Sequence, residues 1–134
     1  KYMHSITYGG QGWGLTHSGD YLIRSDGSNC LHYHDFGRFL HVKKRCVSDR
    51  SIKMNAMAYR DGVIYANDFL SDRLLRVREL DFRVLDVLDL GKLKSGKSPG
   101  VANGVAVYER DQIIVTGKNW NKLYVLDVGG CARA

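Results

Sequence analysis

The sequence has no long apolar segment, few cysteines and no helical period. No hydrophobic run approaches the roughly 20 residues that a membrane helix needs, so we predict no membrane partner. Its three cysteines include no C-x-x-C pair, which argues against a structural zinc site. Their odd number argues against a complete disulfide framework, and it is compatible with a single bridge between Cys30 and Cys46. No 11-residue window has apolar residues that recur every 3.6 residues, so helices are not expected.

Several catalytic motifs are also missing. There is no G-x-S-x-G nucleophile elbow, and "GGQGWG" lacks the G-x-G-x-x-G spacing of dinucleotide-binding loops. "GKLKSGKS", Gly91 to Ser98, does satisfy the P-loop pattern. However, Pro99 and Gly100 follow at once and disfavour the helix whose N-terminus must face the phosphates. We therefore expect a basic surface loop there, and we predict no cofactor.

The chain is basic, but its cations are scattered. Twenty Lys and Arg against 14 Asp and Glu give a formal net charge of +6, which favours polyanionic partners. The two basic clusters, "HVKKRC" (41 to 46) and "GKLKSGKS", lack the interleaved aromatic residues of proteins that bind single-stranded nucleic acids. We therefore predict that the chain does not bind nucleic acid. The hydrophobic fraction of 44% and the charged fraction of 25% are those of a globular protein.

What is present is a series of short, alternating strands separated by turn dipeptides such as Asp61-Gly62. Three stretches share one order of apolar strand, tight polar turn, second strand and Leu-led strand. Leu22, Ile64 and Ile114 occupy equivalent positions, 42 and 50 residues apart. A period of about 40 to 50 residues with several strands per unit is typical of β-propeller blades.

We therefore predict an all-β fold of about three antiparallel, four-stranded blades. They cover approximately residues 11–48, 52–90 and 101–128 of a single partial β-propeller domain, 1–134. A closed ring needs about four to eight blades, and an open array leaves sheet edges bare. We expect the chain to belong to a larger protein or to close its ring by self-association.

Four residues fall at equivalent ends of the predicted strands: Trp13, Asn55, Phe69 and Lys118. The innermost strands of a propeller line its channel, so these residues are expected to converge at one mouth. An apolar wall with a few polar groups is how proteins bind small ligands. The competing interpretation is packing between blades for Trp13 and an ordinary surface charge for Lys118. The apolar strand before Lys118 favours a buried stem for that side chain.

Two histidines in "LHYHDF" are candidates for a metal site. His32 and His34 project from the same face of a strand, whereas Asp35 points to the other face. Two imidazoles do not complete a tetrahedral zinc shell. We therefore predict no metal site, and we expect both histidines to face solvent on an outer strand.

Three longer segments resemble the plant- and bacterial-type glutamine cyclotransferases (glutaminyl-peptide cyclotransferases). They are "GWGLTHSGDYLIRSDGSNCLHYHD", "MNAMAYRDGVIYANDFLSD" and "VANGVAVYERDQIIVTGKNWNKLYVLDV". The resemblance implies a five-bladed propeller, of which this chain supplies the C-terminal three blades or so. It also implies an enzyme that converts the N-terminal glutamine of peptides or proteins to pyroglutamate and releases ammonia, with no required metal. By the same analogy the protein is secretory or periplasmic.

The resemblance also implies roles for the four residues. Trp13 of "GWGL" would form a wall of the glutaminyl pocket, and Phe69 stands where the family has a tryptophan. Asn55 of "MNAMAY" matches the family's polar anchor for the substrate. Lys118 of "VTGK" matches its channel lysine. We therefore predict that Lys118 and Asn55 are catalytic, and that Trp13, Phe69 and Asn55 bind the substrate.

The sequence departs from the family pattern in two respects. It lacks the F-x-E-S-T-G motif that carries the catalytic glutamate, and it lacks the F-T-Q-G-L segment. Both glutamates of the family's L-N-E-L-E-Y motif are replaced, by Ala56 and Ala58. We expect a fragment of an active enzyme that lacks the general acid glutamate. The alternative is a catalytically inactive propeller module that binds peptides, and a third interpretation is a purely structural propeller.

Overall fold

The protein is described by a computed structural model that covers residues 1–94 and 100–129. Within these ranges the chain forms three antiparallel sheets and one short 3₁₀ helix at Leu90–Lys92. In the described residues no helix has the length and apolar character needed to span a membrane. Residues 95–99, which include the second half of the P-loop-like segment, and Cys131 lie outside the described residues.

Strands that are consecutive in sequence are neighbours in each sheet, and we call the three sheets blades 1, 2 and 3. Blade 1 contains β1 (Gly14–His17), β2 (Tyr21–Ser25), β3 (Cys30–Asp35) and β4 (His41–Cys46). Blade 2 contains β5 (Met54–Arg60), β6 (Val63–Asp68), β7 (Arg73–Arg78) and β8 (Arg83–Asp89). Blade 3 contains β9 (Ala102–Val107), β10 (Gln112–Gly117) and β11 (Tyr124–Asp127).

Blade 3 therefore has three strands among the described residues, whereas blades 1 and 2 have the four that the sequence predicted. The innermost strands β1, β5 and β9 lie side by side, with β5 in contact with both of the others. The turn between β5 and β6 follows the predicted chemistry, because Asp61 and Gly62 both have positive φ angles, of 51° and 80°. Consecutive positive φ angles are typical of the type I′ turns that join hairpin strands.

Blade 2 is buried on both faces. Ile64, Ala66 and Leu75 pack into a cluster shared with blade 1. Tyr65 and Leu74, which alternate with them along β6 and β7, pack into a second cluster shared with blade 3. This is the pattern expected when successive side chains of a strand point to opposite faces of the sheet. A fully buried Leu or Ile stabilises the fold by about 1.5–3 kcal/mol, so both junctions contribute substantially to stability.

A disulfide bond joins Cys30 to Cys46, which face each other across β3 and β4. The sequence had left this bridge open. It links the outermost strand of blade 1, β4, to its inner neighbour. β4 is otherwise exposed along most of its length, with four exposed residues from His41 to Lys44. The bond therefore attaches the least buried strand of the blade to the rest of the sheet.

Candidate functional site

One rim of the array is marked by equivalent backbone hydrogen bonds in blades 2 and 3. The amide of Phe69, just after β6, donates to the carbonyl of Lys53 at 2.7 Å. The amide of Lys118, just after β10, donates to the carbonyl of Val101 at 2.9 Å. Each bond joins the end of the second strand of a blade to the start of the first. We call this edge, where first strands begin and second strands end, the rim.

Trp13 lies on the same rim just before β1, where its amide donates to the carbonyl of Ser25 at 2.9 Å. Its ring meets that of Phe69 edge-on, with centroids 4.8 Å apart and an interplanar angle of 79°. The two rings therefore form an aromatic wall across the junction of blades 1 and 2. Trp13 remains 37% exposed and Phe69 36% exposed, so both present a face to solvent.

The glycine that follows β2 explains how the indole fits. Gly27 has a φ of +83°, and a Cβ atom there would lie 2.5 Å from Cζ2 of Trp13. A side chain at this position would both strain the backbone and displace the ring. The Trp13 indole is thus packed against bare backbone on one side and against Phe69 on the other. Its Nε1 donates to Oε1 of Gln11 at 2.7 Å.

Asn55, near the start of β5, stands between blades 1 and 3. Its backbone carbonyl accepts a hydrogen bond from Oγ of Ser25 at 2.7 Å. A Cβ atom on Gly14 would lie 2.3 Å from that carbonyl oxygen, so β1 approaches β5 this closely only because residue 14 is glycine. The half-buried Asn55 side chain reaches the other way, where Nδ2 donates to Oδ1 of Asn103 at 3.4 Å. This amide pair spans the junction of blades 2 and 3.

Lys118 lies on the same rim and is an exposed residue. The prediction that its stem is buried stays a prediction. The residue follows the last strand position of β10 and projects beyond the sheet, because its backbone is held against the start of blade 3. Within residues 1–94 and 100–129 its ammonium group forms no hydrogen bond, ion pair or cation–π contact. The structure thus brings Trp13 and Phe69 together, and it places Lys118 in no polar contact with Trp13, Phe69 or Asn55.

Two asparagines at the junction of blades 2 and 3 were not singled out from the sequence. Asn103 pairs with Asn55, as described above. Asn67 is 1% exposed, and its Oδ1 accepts from the amide of Gly104 at 2.9 Å. Its Nδ2 is the one buried side-chain nitrogen or oxygen without a partner in the described part of the chain. The signal was visible in the small polar cluster Asn67-Asp68 that ends the second strand of this repeat.

The histidines do not face solvent as the sequence predicted. His34 is 3% exposed, because residues near the N-terminus fold over this face and place Tyr8 edge-on to its ring at 6.0 Å. His32 is half-buried: its Nε2 contacts Oδ2 of Asp26 at 2.8 Å and its Nδ1 contacts Nε2 of His41 at 3.0 Å. The predicted exposure is therefore wrong for both. Among the described residues, no group of three or more potential ligands could hold a metal ion.

Titration in this cluster is perturbed at two groups. Burial opposes ionisation of Asp26, but hydrogen bonds from Ser28 and His32 outweigh it and lower the pKa of the carboxyl group. Burial, together with the nearby imidazoles of His32 and His34 and the cations of Arg24 and Lys44, lowers the pKa of His41.

Residues 1–128 match the family model described as glutamine cyclotransferase. The chain belongs to this family. It is 33% identical over 123 residues to the glutaminyl-peptide cyclotransferase of Arabidopsis thaliana, covering 84% of this chain and 38% of that protein. Its structure is similar to the crystal structure of Myxococcus xanthus glutaminyl cyclase, with a TM-score of 0.76, 29% identity and coverage of 93% of this chain and 60% of the other.

A more distant likeness concerns the fold alone. The chain superposes on Kluyveromyces lactis Hsv2 with a TM-score of 0.63 at 9% identity, covering 91% of this chain and 34% of that one. Together with the three antiparallel sheets, these similarities confirm the predicted all-β, propeller-type fold and the predicted family. The chain spans less than two thirds of the length of the two family members that it matches.

Proposed function

We propose that this chain forms part of the substrate site of a glutaminyl-peptide cyclotransferase, which converts an N-terminal glutamine to pyroglutamate and releases ammonia. One observation supports it above the others. A chain of this family has an exposed aromatic wall, Trp13 against Phe69, on the same rim as the Asn55 amide and the Lys118 ammonium group. An apolar wall with a few polar groups suits the side chain of glutamine.

The reaction is intramolecular. The α-amino nitrogen of the substrate attacks the carbonyl carbon of its own side chain, and a C–N bond forms. The bond between this carbon and the amide nitrogen breaks, and one proton passes from the α-amine to the departing nitrogen. The products are a five-membered lactam and ammonia, so the atoms balance without a co-substrate. Holding the amine against the carbonyl lowers the barrier, because correct orientation removes much of the entropic cost of reaction.

The residues of this chain fit distinct parts of that task. Trp13 and Phe69 would contact the methylene groups of the glutamine side chain. The amide of Asn55 would hold the substrate by hydrogen bonds. The exposed Lys118 ammonium group would donate to the oxygen that becomes negative during attack, and one such donor is typically worth about 10²- to 10³-fold in rate.

The general acid is assigned to no residue of this chain. The F-x-E-S-T-G motif of the family is absent from the sequence, and Ala56 and Ala58 replace two further glutamates. Proton delivery to the leaving ammonia typically contributes about 10²- to 10⁴-fold. We therefore propose that turnover requires sequence beyond these 134 residues, and that the domain of residues 1–134 is part of a larger ring.

The test measures ammonia release from a peptide amide with N-terminal glutamine by the full-length gene product. We expect Lys118→Ala to lower kcat by about 100-fold, because an oxyanion donor is lost. Asn55→Ala should raise KM and lower kcat. Lys122→Ala is the matched control, because Lys122 is an exposed lysine of the same blade. Unchanged ammonia release by both the Lys118 and Asn55 variants would refute the assigned roles.

A binding module is the second candidate, favoured by the missing glutamate motif together with Ala56 and Ala58. It predicts that the full-length protein binds the same peptide in calorimetry but releases no ammonia. Trp13→Ala should then weaken binding, since Trp13 supplies much of the exposed wall. Release of ammonia by the unmodified protein would show that it is an enzyme rather than a binding module.

The disulfide bond bears on where the protein works. Cys30–Cys46 bridges of this kind form and persist in oxidising compartments and are rare in the cytosol. The bond therefore supports a secretory or periplasmic location. Mobility on non-reducing gels of protein isolated from its natural source, with thiols blocked at lysis, would show whether the bridge is present there.

A further inference from the structure

Arg24 is a buried cation on the face of blade 1 that points away from blade 2. It lies in the middle of β2 between Ile23 and Ser25, both of which face the junction with blade 2. Successive side chains of a strand alternate, so Arg24 projects from the opposite face. Arg24 is only 3% exposed.

The neighbours of the Arg24 guanidinium are neutral. Its Nε donates to Nε2 of His34 at 3.2 Å, and its Nη1 donates to the carbonyl oxygen of Gln11. The ring of Tyr8 lies 3.8 Å from the guanidinium carbon. His34 accepts through Nε2 and donates from Nδ1 to the carbonyl of Phe39 at 2.9 Å, which is the hydrogen bonding of a neutral imidazole.

No carboxylate pairs with Arg24 within residues 1–94 and 100–129, and no protein atom there accepts a hydrogen bond from its Nη2. Buried charges in proteins are normally paired, because an isolated ion loses its hydration without compensation. The contact with Tyr8 offsets part of that loss and supplies no negative charge. Arg24 therefore has no counter-charge among the described residues.

Blade 2 shows what such a partner looks like in this chain. Arg76 of β7 is 4% exposed, nearly the same as Arg24. Its Nε and Nη2 both donate to the carboxylate of Asp86, and its Nη1 donates to the carbonyl of Val128 at 3.1 Å. Two arginines of similar burial thus differ in that Arg76 has a carboxylate partner and Arg24, among the described residues, has none.

A cavity of about 500 Å³ opens beside Arg24, between the outer face of blade 1 and the N-terminal residues. Its volume falls in the range of small-ligand sites, about 300–1,000 Å³. It is lined in part by Tyr8, Trp13, Leu22, Arg24, His34 and Phe39. There is therefore room for a ligand next to the unpaired cation, with apolar and aromatic walls around it.

We propose that this cavity is a carboxylate-binding site, in which the free N–H groups of Arg24 bind the two oxygens of the ligand. The planar fork of a guanidinium matches the geometry of a carboxylate and binds it in a bidentate way. The carboxylate comes either from a small molecule in solution or from an Asp or Glu side chain of the same protein outside residues 1–134. The cavity shares Trp13 with the aromatic wall, but the proposal does not rest on the proposed cyclotransferase function.

The first experiment titrates the 134-residue chain with acetate at constant ionic strength and follows the indole N–H signal of Trp13 by NMR. Acetamide, which has the same shape and no charge, is the control ligand. We expect acetate to shift the signal in a saturable way and acetamide to have no such effect. Absence of saturable acetate binding would overturn the proposal for this chain.

Variants then locate the site. Arg24→Met should weaken acetate binding at least tenfold, whereas Arg83→Met, which removes an exposed arginine, should leave it unchanged. Equal binding by the Arg24→Met protein would contradict the proposal. If that variant fails to fold, His34→Glu gives a second test, because it offers Arg24 an internal carboxylate. We expect it to compete with acetate and weaken binding, and we expect His34→Gln to bind more tightly than His34→Glu.

The same titration on a form of the protein that extends beyond residues 1–134 distinguishes the two sources. Acetate binding that persists identifies a small molecule as the natural ligand. Loss of acetate binding, with a thermal midpoint that Arg24→Met now lowers, identifies an acidic side chain of the protein itself. Loss of acetate binding with no effect of Arg24→Met on the midpoint would contradict the site in the longer protein.

Discussion

Blades 1 and 2 each bury one guanidinium group on the face turned away from the junction that they share. Arg76 lies where blade 3 covers blade 2, and it has both a carboxylate from its own blade and a carbonyl from Val128. Arg24 lies where only residues near the N-terminus cover blade 1, and its partners are a carbonyl, an imidazole and a phenol ring. The difference shows that a buried arginine in this fold does not always have an oppositely charged partner. The neighbouring strand must also supply the opposite charge.

The largest loss of stability is expected when the Arg76–Asp86 pair is broken. Asp86→Asn leaves the Arg76 guanidinium buried without its counter-charge, and removing one partner of a buried pair costs about 3–5 kcal/mol. Asp86 itself is 38% exposed, so we expect a loss of about 3 kcal/mol, at the low end of that range. Urea unfolding followed by circular dichroism measures it. Asp20→Asn, at an exposed aspartate, is the control; equal stability of the two variants would show that the pair contributes little.

A smaller gain of stability is expected when Arg24 is given a carboxylate partner. His34→Glu places a carboxylate beside Arg24, and a hydrogen bond to a charged group is worth about 1.5–3 kcal/mol. We expect His34→Glu to unfold with a free energy about 1–2 kcal/mol higher than His34→Gln, which offers a neutral acceptor of the same length. Glutamine retains an N–H donor for the Phe39 carbonyl and ionised glutamate does not, so any excess stability of the glutamate variant comes from its charge. A more stable glutamine variant would contradict this account of Arg24.

Removing the unpaired cation should change stability less than breaking the pair. Arg24→Met loses the hydrogen bonds to Gln11 and His34, but it also removes a buried charge that has no counter-ion. These contributions oppose each other, and we expect a change within about 1 kcal/mol in the absence of carboxylates. Thermal unfolding in phosphate-free, acetate-free buffer tests this. A loss as large as that of Asp86→Asn would mean that Arg24 is already satisfied.

The smallest effect is expected at an exposed pair. Arg78 donates two hydrogen bonds to Asp81, at 3.1 and 2.7 Å, and these contacts lower the pKa of the Asp81 carboxyl group from 3.8 to about 2. Any stability gained from the lowered pKa is present above pH 3.8 and is lost as the pH falls through about 2. NMR of the carboxyl carbon should show a midpoint near pH 2, returning towards 3.8 in Arg78→Met. An unchanged midpoint in that variant would assign the shift to another cause.

Much of the fold was predictable because its signals are local. Short apolar, β-branched and aromatic runs predicted strands such as β6 and β7, and both faces of blade 2 are buried because successive apolar residues in these runs point to opposite faces. The Asp61-Gly62 turn was predictable from residue chemistry alone. The proximity of Trp13 and Phe69 followed from their equivalent places in the repeat. Each of these inferences used only the repeat and the period of the strand.

What could not be predicted depends on segments without a period. Residues near the N-terminus show no strand pattern, yet they cover blade 1 and bury His34 and Arg24. The exposure of Lys118 depends on how far its backbone lies beyond the last strand pair of blade 3. The pairing of Cys30 with Cys46 depends on the register between β3 and β4, which includes an irregularity at Tyr33 and His34. Such features are set by tertiary contacts rather than by local sequence.

The Cys30–Cys46 bond has a further consequence for resistance to proteolysis. It fastens β4 to β3, and β4 is also held to blade 2, where Arg45 donates to the carbonyls of Glu79 and Leu80. Reduction of the disulfide would remove one of these two attachments and make the exposed, lysine-containing strand β4 more accessible to trypsin-like proteases. The aromatic wall of Trp13 and Phe69 is held by inner strands and would remain after that cleavage. Loss of β4 and loss of ligand binding at the wall should therefore occur as separate events.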